Sequence, residues 1–123
     1  MKKKIMIVDD EQSVLEIVKA IFENEEFEVI TAESGQNCLN KLETIKPDLI
    51  LMDMMMPGIT GRETTKKIRD NPKTKNIKIM FVSVARLSEV GLNELKELNV
   101  LDYVTKPFDN NDLVRRVKKI LND

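Results

Sequence analysis

Three carboxylates, a hydroxyl and an ammonium stand out in this 123-residue chain because each closes or follows a short apolar run. Asp9 and Asp10 follow Ile5-Met6-Ile7-Val8, and Asp53 follows Leu49-Ile50-Leu51-Met52. Ser83 follows Met80-Phe81-Val82, and Lys106 comes two residues after Tyr103-Val104. An acid at the end of a run fit for burial is costly unless something pairs it. Two carboxylates about 4 Å apart repel by about 4 kcal/mol at an effective dielectric of about 20. Three brought together therefore raise one another's pKa values or recruit a cation. The chain has no His, and its one Cys, Cys38, has no second thiol to share a metal, so the available donors are oxygens. Oxygen-only ligation favours a hard ion, Mg²⁺ first, which keeps several waters and completes its shell with a substrate phosphate. A carboxylate beside Mg²⁺ and a lysine suits phosphoryl transfer through an aspartyl-phosphate, the cations neutralising the oxygens over which charge spreads.

That chemistry requires the five groups to meet, and the pattern of the chain supplies a way. Apolar runs at residues 4–8, 27–31, 49–53, 77–82 and 101–104 read as strands. Between them apolar residues recur at helical spacing: Val14, Val18, Ile21 and Phe22; Leu39, Leu42 and Ile45; Leu87, Leu95 and Leu98; and Leu113, Val117, Ile120 and Leu121 at the end. Ile68 marks a more polar segment between the third and fourth strands. Strands that are almost continuously apolar, alternating with helices, predict an α/β fold with a parallel sheet covered on both faces. Right-handed crossovers make a doubly wound topology the expected one. In such sheets ligands bind outside the carboxyl ends of the strands, which is where all five groups stand.

Composition sets bounds on the rest. One domain is expected at this length, with no linker or repeat. Lys and Arg number 20 against 21 Asp and Glu, a net charge of −1, which argues against a general nucleic-acid binder. The absence of His excludes His-based triads and His-based zinc sites, and no apolar run approaches a membrane span. A soluble, cytoplasmic protein is expected.

The motifs Val8-Asp9-Asp10-Glu11, Leu51-Met52-Asp53-Met54-Met55-Met56-Pro57-Gly58 with Gly61 following, Ser83, and Asp102-Tyr103-Val104-Thr105-Lys106-Pro107-Phe108 together resemble the receiver domains of two-component response regulators, of the single-domain chemotaxis-regulator kind. The resemblance covers essentially the whole chain. It implies a flavodoxin-like sheet of five strands in the order 2-1-3-4-5 with five helices, residues 1–123 forming one receiver with no output domain. It implies Asp53 as phospho-acceptor, Asp10 and Asp53 as direct Mg²⁺ ligands, Asp9 acting through water, and Met55 offering a backbone carbonyl. Ser83 would follow the phosphoryl group, Lys106 would be its cationic partner, and Tyr103 the aromatic switch. The implied partners are a sensor histidine kinase that donates from phosphohistidine, and a downstream protein or phosphotransferase that meets the face of the fourth helix, fifth strand and fifth helix. Neither direct nucleic-acid nor membrane binding is implied, and the state is a monomer or a phosphorylation-dependent dimer. Activity is limited to Mg²⁺-dependent self-phosphorylation and autodephosphorylation.

Competing readings are weaker. An aspartyl-phosphate phosphatase would want its nucleophile in an Asp-x-Asp loop after the first strand, which Val8-Asp9-Asp10-Glu11 does not supply. An FMN-binding flavodoxin needs a phosphate cradle there, and acids repel phosphate. Asp10 has a plainer role available, partial capping of the first helix. Met52, Met54, Met55 and Met56 suggest a soft-metal site, but strand alternation and Met's use as a gap-filler favour packing. Arg115-Arg116 and Lys118-Lys119 read as a solvated helix face or part of a partner surface. Val84 and Asn99-Val100 depart from the family's usual small residue and Gly-Ala. Asn is the next best residue for a left-handed helix C-cap, so that turn is expected to survive.

Overall fold

The computed structural model describes residues 2–84 and 87–122. The strands are β1 (Lys4–Val8), β2 (Glu28–Ala32), β3 (Leu49–Met52), β4 (Lys78–Ser83) and β5 (Val100–Thr105). The helices are α1 (Gln12–Asn24), α2 (Gly35–Lys41), α3 (Gly61–Asp70), α4 (Glu89–Glu97) and α5 (Asn110–Leu121). All strand pairings are parallel, in the order β2-β1-β3-β4-β5. The expected fold is present, with strand ends shifted by one residue at most.

Central strands bury both faces, as their unbroken apolar runs require: all of β3 is buried, as is every residue of β1 after Lys4. One core joins Ile5, Ile7, Leu49 and Leu51 to α1 and α5 through Leu15, Val18, Phe22, Leu113 and Val117. The other joins Met6, Val8, Ile50 and Met52 to Cys38, Ile68 and Leu95. Met54 and Met56 belong to this second core, so those methionines are packing and not a soft-metal site. Cys38 is buried, and burial pushes its thiol pKa up to about 12, which keeps it inert.

Helix starts are fixed locally. Thr60 and Glu63 form a reciprocal capping box on α3, while Ser34, Ser88 and Asp109 cap α2, α4 and α5; each cap contributes roughly 1 kcal/mol. Only α1 lacks a side-chain cap among these helices. The capping role expected for Asp10 is therefore not found, and the carboxylate is left for other work. Asn99 has φ 56°, so it does take the left-handed position at the end of α4.

Candidate functional site

The backbone places the site residues by extending the ladders one residue past the strands. The Asp9 N–H donates to Ala32 O at 3.1 Å, the Asp53 N–H to Val8 O at 3.0 Å, and the Lys106 N–H to Ser83 O at 2.9 Å. Each side chain at the carboxyl edge is thus fixed by the neighbouring strand rather than by its own loop. The floor beneath is apolar, made by Ile7, Val8, Val14, Val18, Leu51 and Val82.

On this floor the charges converge. Asp9 and Asp53 are buried, and Ser83 is fully so, whereas Asp10 is exposed. One oxygen from each of Asp9, Asp10 and Asp53 lies within 4.8 Å of the others. The Lys106 Nζ donates to Asp9 Oδ2 at 2.6 Å and lies 3.8 Å from Asp53 Oδ2. Asp9 also accepts the Glu11 N–H at 3.0 Å, and Asp53 Oδ1 accepts the Met55 N–H at 3.3 Å. Burial pushes the Asp53 carboxyl above its ordinary value; the Ser83 hydroxyl opposes this by hydrogen bonding, the Asp9 charge adds to it, and Lys106 and the Met55 N–H oppose it. One ammonium shared among three acids leaves negative charge over. That surplus, offered only by oxygens, fits a hard divalent cation.

Asp9, Asp10, Asp53, Ser83 and Lys106 are therefore one neighbourhood. Asp9 pairs with Lys106 directly, an ion pair that reading by spacing alone did not anticipate. Met55 lies beside Asp53 with its side chain 58% exposed. The Lys106-Pro107 bond is cis. Tyr103 is stacked on Phe81 with ring centroids 6.4 Å apart. Its hydroxyl is buried without a hydrogen bond of good geometry among the described residues. Burial raises its pKa, and the nearby Ser83 hydroxyl partly offsets this. Ala85, two positions beyond Ser83, lies outside the described residues. The basic face of α5 is not simply solvated: Arg116 Nη1 donates to both Asp102 oxygens at 3.0 and 3.1 Å, and Lys118 pairs with Glu25 at 2.7 Å.

Gly61 is a residue whose role becomes visible only in three dimensions. Its N–H donates to Met54 O at 3.0 Å. A Cβ there would lie 2.2 Å from Asp53 O and 2.8 Å from Met54 Cα, so α3 rests directly on the backbone of Asp53. Gly61→Ala is expected to shift the Asp53 backbone and to lower stability by about 1–3 kcal/mol through overpacking, read from denaturant unfolding.

A doubly wound parallel sheet with an acid cluster, a buried hydroxyl and a lysine at its carboxyl edge defines the class of CheY-like receiver folds. Residues 5–118 match the response regulator receiver domain, and the chain belongs to that family of two-component signalling domains. It is 39% identical over 122 residues to the alkaline phosphatase synthesis transcriptional regulatory protein PhoP of Bacillus subtilis (strain 168), covering 98% of this chain and 49% of that protein. It is 32% identical over 121 residues to the phosphate regulon transcriptional regulatory protein PhoB of Escherichia coli (strain K12), covering 98% of this chain and 52% of that protein. The chain thus spans about half the length of the curated relatives it matches. Among solved structures, the Vibrio cholerae chemotaxis protein CheY4 superposes with a TM-score of 0.90 at 27% identity, covering 98% of this chain and 99% of that one. A CheY-like receiver domain protein from Methanospirillum hungatei JF-1 superposes at 0.91 with 28% identity, covering 99% and 95%. Among the described residues no helix is long and apolar enough to cross a membrane.

Proposed function

We propose that this receiver accepts a phosphoryl group on Asp53 from the phosphohistidine of a sensor kinase and passes the change of state to a partner protein. The observation that carries the reading is the meeting of Asp9, Asp10, Asp53 and Lys106 at one strand edge. Asp10, Asp53 and the Met55 carbonyl would hold Mg²⁺, with Asp9 set back by its bond to Lys106. Bound there, Mg²⁺ supplies neutralisation of charge on the phosphoryl oxygens. An Asp53 carboxylate oxygen forms the new O–P bond while the P–N bond to the donor imidazole breaks, and the imidazole leaves with the electron pair and takes up a proton. Lys106 balances charge on the transferred group, and Ser83, buried beside it, donates its hydroxyl to one phosphoryl oxygen. The apolar floor excludes water from beneath, which strengthens each of these interactions.

Output fits the face made by α4, β5 and α5. A groove of about 510 Å³ there is lined by Leu87, Leu92, Tyr103, Thr105, Lys106 and Pro107, and Val90, Leu92 and Leu101 are exposed nearby. Lys106 belongs to both the acid cluster and this groove, so a change at one is felt at the other. Tyr103, whose buried hydroxyl lies near Ser83, would follow inward if Ser83 moves toward a phosphoryl group. Residues 1–123 would act as one receiver unit, within a protein whose response is executed by another domain or another chain.

Intact-mass measurement after incubation with acetyl phosphate tests the reading. A single phosphoryl adduct with Mg²⁺ and none with EDTA supports it; adduct formation that ignores Mg²⁺, or none at all, contradicts it. Neither Met55 nor Ala85 offers a polar side chain to steer an attacking water, and Met55 is more than half exposed. Met55→Asn is therefore expected to shorten the phosphoform's half-life several-fold, followed by loss of the adduct over time. An unchanged half-life would mean that water is steered from elsewhere.

A further inference from the structure

Arg69, in the last turn of α3, makes four hydrogen bonds, and every acceptor is a backbone carbonyl. Its Nε donates to Leu98 O at 2.7 Å, its Nη1 to Ile77 O at 2.6 Å and Lys75 O at 2.8 Å, and its Nη2 to Asn99 O at 3.2 Å. The guanidinium is half-buried, and burial draws its pKa below the ordinary value. Among the described residues no acid pairs with it. The charge is held by Leu98 and Asn99 carbonyls at the negative end of the α4 dipole and by Lys75 and Ile77 carbonyls in the segment before β4. A planar fork reaches acceptors on two separate segments at once, which a lysine ammonium does not do with the same geometry.

The rest of α4 is lightly held. Leu95 is its one buried residue, while Val90 is 68% and Leu92 42% exposed. Gly91 lies in the N-terminal half, where it lowers intrinsic helix stability. The Arg62–Glu94 pair is exposed on both sides, so it contributes little. Strong anchoring at one end is thus matched by weak packing at the other, and the weak end is the one that follows Ser83 in the chain.

We propose that Arg69 is the fulcrum of the switch, fixing the C-terminal end of α4 and the entry to β5 so that α4 moves as a lever at its N-terminal half. The input to this lever rests on the phosphoryl site proposed above; the anchor itself does not. All four acceptors are main-chain atoms, so neither pH in the physiological range nor phosphorylation removes them. The fulcrum is permanent, and the difference between states is confined to the end that faces the groove.

Amide hydrogen exchange on the unphosphorylated chain in EDTA tests the anchor. In wild type, the Leu98 and Asn99 amides should exchange more slowly than those of Leu92 and Asn93 by about tenfold or more, tenfold being a 1.4 kcal/mol difference. Arg69→Met should erase that gradient by speeding Leu98 and Asn99, with Leu92 changed less than about twofold. Arg69→Lys, which keeps the charge without the fork, should behave like Arg69→Met and serves if that variant does not fold. Uniform exchange along α4 in wild type, or a gradient that survives either substitution, overturns the proposal. Adding Mg²⁺ with beryllofluoride, a phosphoryl mimic, should then shift amide resonances of residues 87–94 and leave 98–99 in place; equal shifts at both ends overturn the lever. No shift at either end counts against the phosphoryl site and leaves the anchor standing on the exchange gradient.

Discussion

Asp53→Asn leaves the chain folded, unable to form the phosphoryl adduct, and more stable than wild type when no metal is present. The first part follows from chemistry: a carboxamide oxygen is too weak a nucleophile to displace the donor, and among the described residues no other acid is both buried and flanked by Ser83 and Lys106. The second follows from electrostatics. Burial, with the Asp9 charge adding to it, outweighs Ser83, Lys106 and the Met55 N–H, so the folded carboxyl holds its proton above the ordinary value of 3.8. From that pH upward the unfolded chain binds fewer protons than the folded one, and stability falls as pH rises until the folded carboxyl is also ionised. Asn carries no such penalty. Melting curves in EDTA should therefore coincide near pH 3.8 and separate above it, then run parallel with the variant higher. Asp10→Asn should gain less, since Asp10 already faces water. Saturating Mg²⁺ should reverse the order, because wild type then gains binding energy that the variant lacks. A variant that still takes up phosphoryl groups would move the acceptor elsewhere.

Lys106→Ala should damage both stability and transfer, for separable reasons. The Lys106 side chain is 13% exposed and its partner Asp9 3% exposed, with 2.6 Å between them. Removing one member of a buried pair leaves an uncompensated charge, so we expect a loss of about 3–5 kcal/mol at neutral pH. That loss should shrink with Mg²⁺, which restores positive charge at the same edge. Phosphoryl transfer should not recover in the same way. The ammonium acts on charge that develops during transfer, and removing one such donor typically lowers rates on the order of 10²–10³-fold. Measuring the adduct rate at saturating Mg²⁺ separates the two effects: a rate within about twofold of wild type would reduce Lys106 to a structural ion pair.

The gross architecture and the acid cluster were legible in the sequence because both rest on local rules. Unbroken apolar strands report burial on two faces, and the carboxyl edge of such a sheet is common ground for whatever follows each strand. Asn99 was legible for a similar reason, since few residues other than Gly accept its backbone conformation. The rest depends on tertiary distances that spacing does not encode. The partition of Asp9 toward Lys106 and Asp10 toward water comes from the direction in which the chain leaves β1. The contact of Gly61 with Asp53 comes from how α3 lies on its own loop. The role of Arg69 comes from the end of another helix meeting it. In each case a residue of ordinary type is given its meaning by a backbone segment distant in sequence or folded back upon it.

If side chains from separate strand ends share one divalent ion, replacing Mg²⁺ with an anomalously scattering metal makes that ion visible. Crystals grown with Mn²⁺ in place of Mg²⁺ should show a single strong anomalous peak at the carboxyl edge, bonded to oxygens of Asp10 and Asp53 and reached by Asp9 through water. A peak at some other acidic patch, or none at millimolar Mn²⁺, would contradict the account.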